Sequence, residues 1–194
     1  MPKPRRKFGP SQKDRIFLAL LPDAGTAARI HALAEELKAR HGFTANLIQP
    51  EHLHVTLFHL GDWAALPDMV VEAAKTAAGS VEAKPFEVVF DTARSFRNST
   101  GVYPFVLTGP EHGSPLHHFH RMLGAALKKA GLGAAVHEED FTPHVTLTYD
   151  ELKVNPAKLA APMVWTVRDF ALVHSVLGRT THHHLARFAL GGAP

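Results

Sequence analysis

Short apolar runs alternate along the chain with longer segments whose apolar residues recur at three- and four-residue spacing. The first pattern predicts strands and the second predicts helices. A strand is predicted over Ile16–Leu21, then a helix from about Ala24 to His41, opened by Pro22-Asp23 and ended at Gly42. A strand over Leu53–Leu60 closes at Gly61-Asp62, and a second helix covers Pro67–Ala78. Strands follow over Pro85–Phe96 and Val102–Thr108, and a third helix over Pro115–Ala130 ends at Gly131. After a loop over 132–140 come strands at Phe141–Tyr149, Val164–Leu177 and His184–Leu190, the last two joined by a Gly178–Thr181 turn. The predicted order is β-α-β-α-β-β-α-β-β-β, with a β-α-β unit in each half. That order predicts an α+β fold with the helices outside the sheet.

Within this pattern the tripeptide His-Val-Thr occurs twice, at His54–Thr56 and His144–Thr146. On a strand, alternation puts His and Thr on one face. Leu53, Val55 and Leu57 take the other face in the first copy; Val145, Leu147 and Tyr149 do so in the second. Each strand therefore has a core face and a face bearing an imidazole and a hydroxyl. Two imidazoles in one cleft suit acid–base chemistry near neutral pH, such as in-line displacement at phosphorus. Thr56 and Thr146 are placed to donate hydrogen bonds to non-bridging phosphate oxygens.

Composition narrows the class. The chain has 194 residues, 45% of them hydrophobic and 20% charged, ordinary values for a globular protein. No apolar run reaches the ~18 residues of a membrane-spanning helix, so no membrane association is expected. There are no cysteines. Disulfides, thiolate metal sites and a Cys nucleophile are excluded, and a cytoplasmic location is the default. Residues 1–13, with three prolines and five Lys or Arg, read as a disordered basic tail. Residues 14–194 read as a single bilobal domain.

The segments Leu53-His54-Val55-Thr56-Leu57-Phe58-His59-Leu60-Gly61 and Phe141-Thr142-Pro143-His144-Val145-Thr146-Leu147 resemble the two signatures of the 2H phosphoesterase superfamily. The similarity is to its 2′-5′ RNA ligase-like branch, the RNA 2′,3′-cyclic phosphodiesterases. The Arg15–Leu20 run, the Phe86–Phe96 strand and the Leu172–Leu190 hairpin fall where that family has them. The resemblance implies two pseudo-symmetric β-sheet lobes with outer helices and a central cleft. It implies metal-independent opening of a 2′,3′-cyclic phosphate to a 2′-phosphate, without a cofactor, on an RNA end or a small cyclic nucleotide. By that resemblance His54 is the proton donor and His144 the proton acceptor. Reversible 2′-5′ joining of RNA would be the same chemistry with a 5′-hydroxyl in place of water. Relatives often carry a basic residue where this chain has Tyr149, which reads instead as a core residue. A monomer is expected.

Phe58, Arg97 and Thr148 are the candidate substrate-binding residues. Arg94, Arg97 and Asn98 border a turn that suits phosphate contact, and Phe96 and Tyr103 could stack on a base. His52 shares the His54 face and His59 takes the other, and neither recurs in the second motif. His182-His183-His184 resembles a metal tract, but neighbours on a strand point apart, so they read as exposed hairpin residues and no metal site is expected. His117 and His120, one turn apart, read as a solvated helix face. Competing functions are cleavage of 2′-5′-linked oligonucleotides or another cyclic nucleotide, a non-catalytic RNA- or nucleotide-binding module, and a metal-dependent hydrolase using the histidine tract.

Overall fold

The computed structural model describes residues 13–110, 112–137, 141–178 and 181–191. Nearly all of the predicted basic tail, and Arg179 of the predicted Gly178–Thr181 turn, lie outside these residues. The first half holds β1 (Asp14–Leu20), α1 (Ala24–His41), β2 (Val55–Trp63) and α2 (Asp68–Gly79). The second begins with β3 (Phe86–Ser95), β4 (Tyr103–Thr108), α3 (Pro115–Lys129) and β5 (His144–Asp150). It ends with β6 (Ala157–Val167), β7 (Asp169–Val176) and β8 (Thr181–Ala189).

The helix limits have local causes. Asp23 accepts the Thr26 N–H at 2.9 Å at the start of α1, satisfying a donor with no intrahelical partner. Lys38, Arg40 and His41 fill its last turn, where positive charge opposes the negative end of the helix dipole. Gly42 then takes a left-handed conformation, φ 75°, which a side chain would resist. Ser114 caps α3, and Pro115 occupies its first turn, where a missing N–H costs nothing.

The strands form two antiparallel four-stranded sheets, ordered β2-β1-β7-β8 and β5-β4-β3-β6. Each half contributes a strand–helix–strand unit, β1-α1-β2 and β4-α3-β5. In both, the strand after the helix is the sheet edge and carries or adjoins a His-Val-Thr segment. One contiguous apolar core runs through both sheets, including Ile30 and Leu37 of α1, Val71 and Ala74 of α2, and Phe119 and Leu123 of α3. A second, small cluster of Phe17, Ala19, Ala171 and Val173 lies apart from it, on the alternate face of β1 and β7.

The periodicity misses β6 and merges its end with β7. Instead of one strand over Val164–Leu177, two strands meet at Arg168. β6 is an edge strand with mostly exposed side chains, so little of it needs to be apolar. Its Pro162 sits in a register shift against β3, between the pairs Phe90↔Met163 and Thr92↔Lys158, where no ladder N–H is required.

Candidate active site

The edge strands β2 and β5 lie against each other, and a cleft of about 530 Å³ opens along the seam. His54, Thr56, His144 and Thr146 all line it, so the structure brings the two tripeptides together. The imidazoles are held in matching ways. His54 Nδ1 donates to the carbonyl of His52 at 2.7 Å, and His144 Nδ1 donates to that of Thr142 at 2.8 Å. A carbonyl only accepts, so Nδ1 carries the proton in both rings and Nε2 is left for acid–base work.

Strict alternation would keep Phe58 and Thr148 on the cleft face. Both are instead in the core, 3% and 0% exposed. A bulge sits at the same place in each motif. Leu18 and Ala19 pair with Phe58 and Thr56, skipping Leu57, while Phe105 and Val106 pair with Thr148 and Thr146, skipping Leu147. An extra residue exchanges the faces beyond it. Thr148 is consumed in a bond to the Asn46 carbonyl at 2.8 Å. These two residues therefore do not reach the cleft, contrary to the sequence expectation.

The same bulges deliver His59 and Tyr149 to the cleft. Tyr149 is 51% exposed, correcting its reading as core. His59 joins an ion network in which Asp62 accepts from Arg15 through both oxygens at 2.8 Å and from His59 Nε2 at 2.9 Å. The Arg15 guanidinium, above all, holds the Asp62 carboxyl well below the usual carboxylate range. Arg15 also lines the cleft, so a cation enters from β1 rather than from the position after the second motif. Alternation alone cannot reveal a bulge, so nothing in the pattern points to His59 or Tyr149, whereas Arg15 shares the face of Phe17 by plain alternation.

His120 ties the two motifs together. Its ring stacks on Phe58 of β2 (4.1 Å between centroids, 11° between planes) and on Phe141 (3.6 Å, 2°). Its Nε2 donates to the Leu57 carbonyl at 3.0 Å. Phe141 immediately precedes Thr142, whose carbonyl orients His144. His117 and His120 are both buried, so this helix face is not solvated as its sequence suggests.

Two further rings crowd His54. Phe17 of β1 packs 5.1 Å from it, and His182 approaches edge-on at 5.6 Å. His182 also meets His52 at 4.7 Å, so it lines the cleft, whereas His183 and His184 are exposed. Burial pushes His182 down to about 4, assisted by the nearby His54, His52 and His184. Burial likewise lowers His54 and His144 below their ordinary value, opposed in each by the carbonyl bond. Neighbouring His144 and His52 lower His54 further. Among the described residues, no group of three or more His, Asp or Glu side chains is placed to hold a metal ion.

Arg97 stands outside this cleft, beside a separate groove that His144 also borders. Phe96 meets the His144 ring edge-on at 4.9 Å, and the Arg94 guanidinium lies 5.5 Å above Phe96.

The arrangement can supply two oriented imidazoles and two hydroxyls to one small anionic group. Known proteins share the fold. Residues 21–179 match the model of the 2′-5′ RNA ligase superfamily. An RNA 2′,3′-cyclic phosphodiesterase of Archaeoglobus fulgidus is 26% identical over 171 residues, 84% of this chain and 92% of the relative. A crystal structure described as a phosphoesterase superposes with a TM-score of 0.72 at 23% identity, over 92% of this chain and 99% of that one. Escherichia coli LigT complexed with 3′-AMP superposes with a TM-score of 0.70 at 23% identity, over 93% and 99%. No described helix is long and apolar enough to cross a membrane. With its two facing His-Val-Thr segments and a family match over most of its length, the chain belongs to the 2′-5′ RNA ligase superfamily of 2H phosphoesterases.

Proposed function

We propose that the cleft hydrolyses 2′,3′-cyclic phosphates to 2′-phosphates by a two-histidine mechanism that needs no metal. The observation that carries this reading is the matched pair of imidazoles, each with Nδ1 bound to a carbonyl and Nε2 available. The cyclic phosphate sits between them, its non-bridging oxygens accepting from the Thr56 and Thr146 hydroxyls. His144 Nε2 takes a proton from water as the water oxygen bonds to phosphorus. The bond from phosphorus to the 3′-oxygen breaks on the opposite side, and protonated His54 Nε2 delivers its proton to that oxygen. The histidines finish with one proton exchanged between them, and solvent restores the starting state. Positioned acid and base groups of this kind typically contribute 10²–10⁴-fold each. The same proton traffic, with an RNA 5′-hydroxyl in place of water as the nucleophile and the 3′-oxygen again leaving, would give 2′-5′ joining at the same site.

The name of the Archaeoglobus relative supports the choice of substrate. The test is hydrolysis of a nucleoside 2′,3′-cyclic phosphate in EDTA by the native protein and by the His54→Ala/His144→Ala variant, with product position read by phosphorus NMR. EDTA-resistant 2′-phosphate from the native protein alone is the expected result. Turnover that survives in the variant, or that EDTA abolishes, overturns the mechanism.

A further inference from the structure

Beyond His144, on the side away from Phe17 and His182, a groove of about 1290 Å³ runs over the second sheet. Arg94, Arg97 and Lys153 line it, and none of them has a carboxylate partner among the described residues. Lys158 lies there too but is bound to Asp91 at 2.7 Å. No Asp or Glu among the described residues lines the groove. Arg94 Nε is buried without a hydrogen-bond partner among the described residues. A buried guanidinium donor left unmet is costly unless an outside oxygen reaches it. Phe96 stands at the junction, with its edge relation to His144 on one side and Arg94 on the other. Three cations without a carboxylate partner among the described residues, and an aromatic ring, along one groove match what single-stranded nucleic acid requires: charge for the backbone and a face for a base.

We propose that this groove is a second, phosphodiester-binding subsite that takes the RNA chain beyond the reacting phosphate. The preferred substrate is then an oligonucleotide end, not a free nucleotide. This inference rests on the cyclic-phosphodiester reading of the cleft. Arg94 and Arg97 meet backbone phosphate oxygens, Lys153 supplies a more distant positive charge, and Phe96 offers its ring to the neighbouring base.

The experiment compares a nucleoside 2′,3′-cyclic phosphate with a tetranucleotide ending in the same group, for the native protein and for Arg97→Glu/Lys153→Glu. Both substituted residues are exposed, so the fold tolerates the change, and thermal melting checks this. The native protein is expected to favour the tetranucleotide in kcat/KM by roughly 10- to 100-fold. In the variant the ratio falls close to one. The dependence of log kcat/KM on log salt for the tetranucleotide becomes shallower by about 0.7 for each phosphate no longer neutralised by a side chain. A native ratio near one, or a ratio that survives in the variant, overturns the subsite. Should neither substrate turn over, the catalytic reading fails and binding decides the groove separately. A fluorescein-labelled tetranucleotide bearing a 3′-phosphate is then followed by anisotropy. Binding by the native protein that the variant abolishes retains the subsite, and absent or equal binding in the two proteins removes it.

Discussion

Leu57 and Leu147 are the skipped residues of equivalent bulges, and the carbonyl of each is held from outside its own sheet. Leu57 O accepts from His120 Nε2 at 3.0 Å, and Leu147 O accepts from the Ile48 N–H at 2.8 Å. Each bulge is thus pinned by an element of the opposite half. Ile48 belongs to the segment between α1 and β2, while His120 belongs to α3.

His120 is therefore a positioning residue, and two variants separate its roles. His120→Ala removes both the stack and the hydrogen bond. It is expected to lower kcat about tenfold with little change in KM, and to lower stability by about 2–5 kcal/mol. His120→Phe retains a ring between Phe58 and Phe141 without the Leu57 bond. Stability should largely return while kcat stays low. Native kcat in His120→Phe would show that the hydrogen bond positions nothing.

Under the proposed mechanism, Thr56→Ala and Thr146→Ala each remove one donor to a phosphate oxygen. A loss of roughly 10- to 10³-fold in kcat is expected for each, with Thr→Ser at either position restoring most of it. Steady-state kinetics on a cyclic nucleotide measure both.

The pH profile follows from the lowered histidines. In the proposed mechanism His144 acts as the base and must be neutral, so its low value lets the rate persist below the ordinary histidine range. His54 must be protonated, so its low value in the free protein makes kcat/KM fall as pH rises, starting on the acid side of neutrality. A bound anionic phosphate favours protonated His54. The alkaline limb of kcat should therefore lie at higher pH than that of kcat/KM. Coincident limbs in the two profiles would contradict this electrostatic account.

His182 gives a stability test. Its folded value of about 4 lies below its ordinary 6.5, so the unfolded chain binds the proton more readily. Its contribution is complete above about pH 6.5 and is lost as pH falls towards 4. His182→Gln cannot titrate, so its melting temperature should gain on that of the native protein between pH 7.5 and 4.5. A constant difference across that range would exclude His182 as a source of acid lability.

Asp150, buried beside exposed Tyr149, accepts the N–H groups of Thr44, Ala45 and Leu152, each at 2.9 Å. Those bonds, Ala45's foremost, hold its carboxyl below the usual value. Asp150→Ala strands the donors and should cost about 2–4 kcal/mol in urea unfolding, more than Asp150→Asn, which keeps one acceptor.

Much of this architecture is legible in the sequence. The capped, Gly-terminated α1 has the same limits in sequence and structure, because its signals are local. The repeated tripeptide points to one cleft, because residues two apart on a strand share a face until a bulge intervenes. Phe58, Thr148, His59 and Tyr149 escape the pattern for that reason, since a bulge depends on pairing between distant strands. The edge strand β6 hides because solvent relaxes its pattern. His120 reads as solvated because its partners, Phe58 and Phe141, come from elsewhere in the chain.

His54 and His144 each take their orientation from a carbonyl two residues earlier in the same segment. Each half therefore carries its reactive ring already aimed, with the sighting built into the local chain. A single duplicated unit, docked edge to edge with its copy, would possess the whole constellation at once. Everything around that pair, from the β1 cation to the outer groove, can then differ between the two halves without re-aiming either ring.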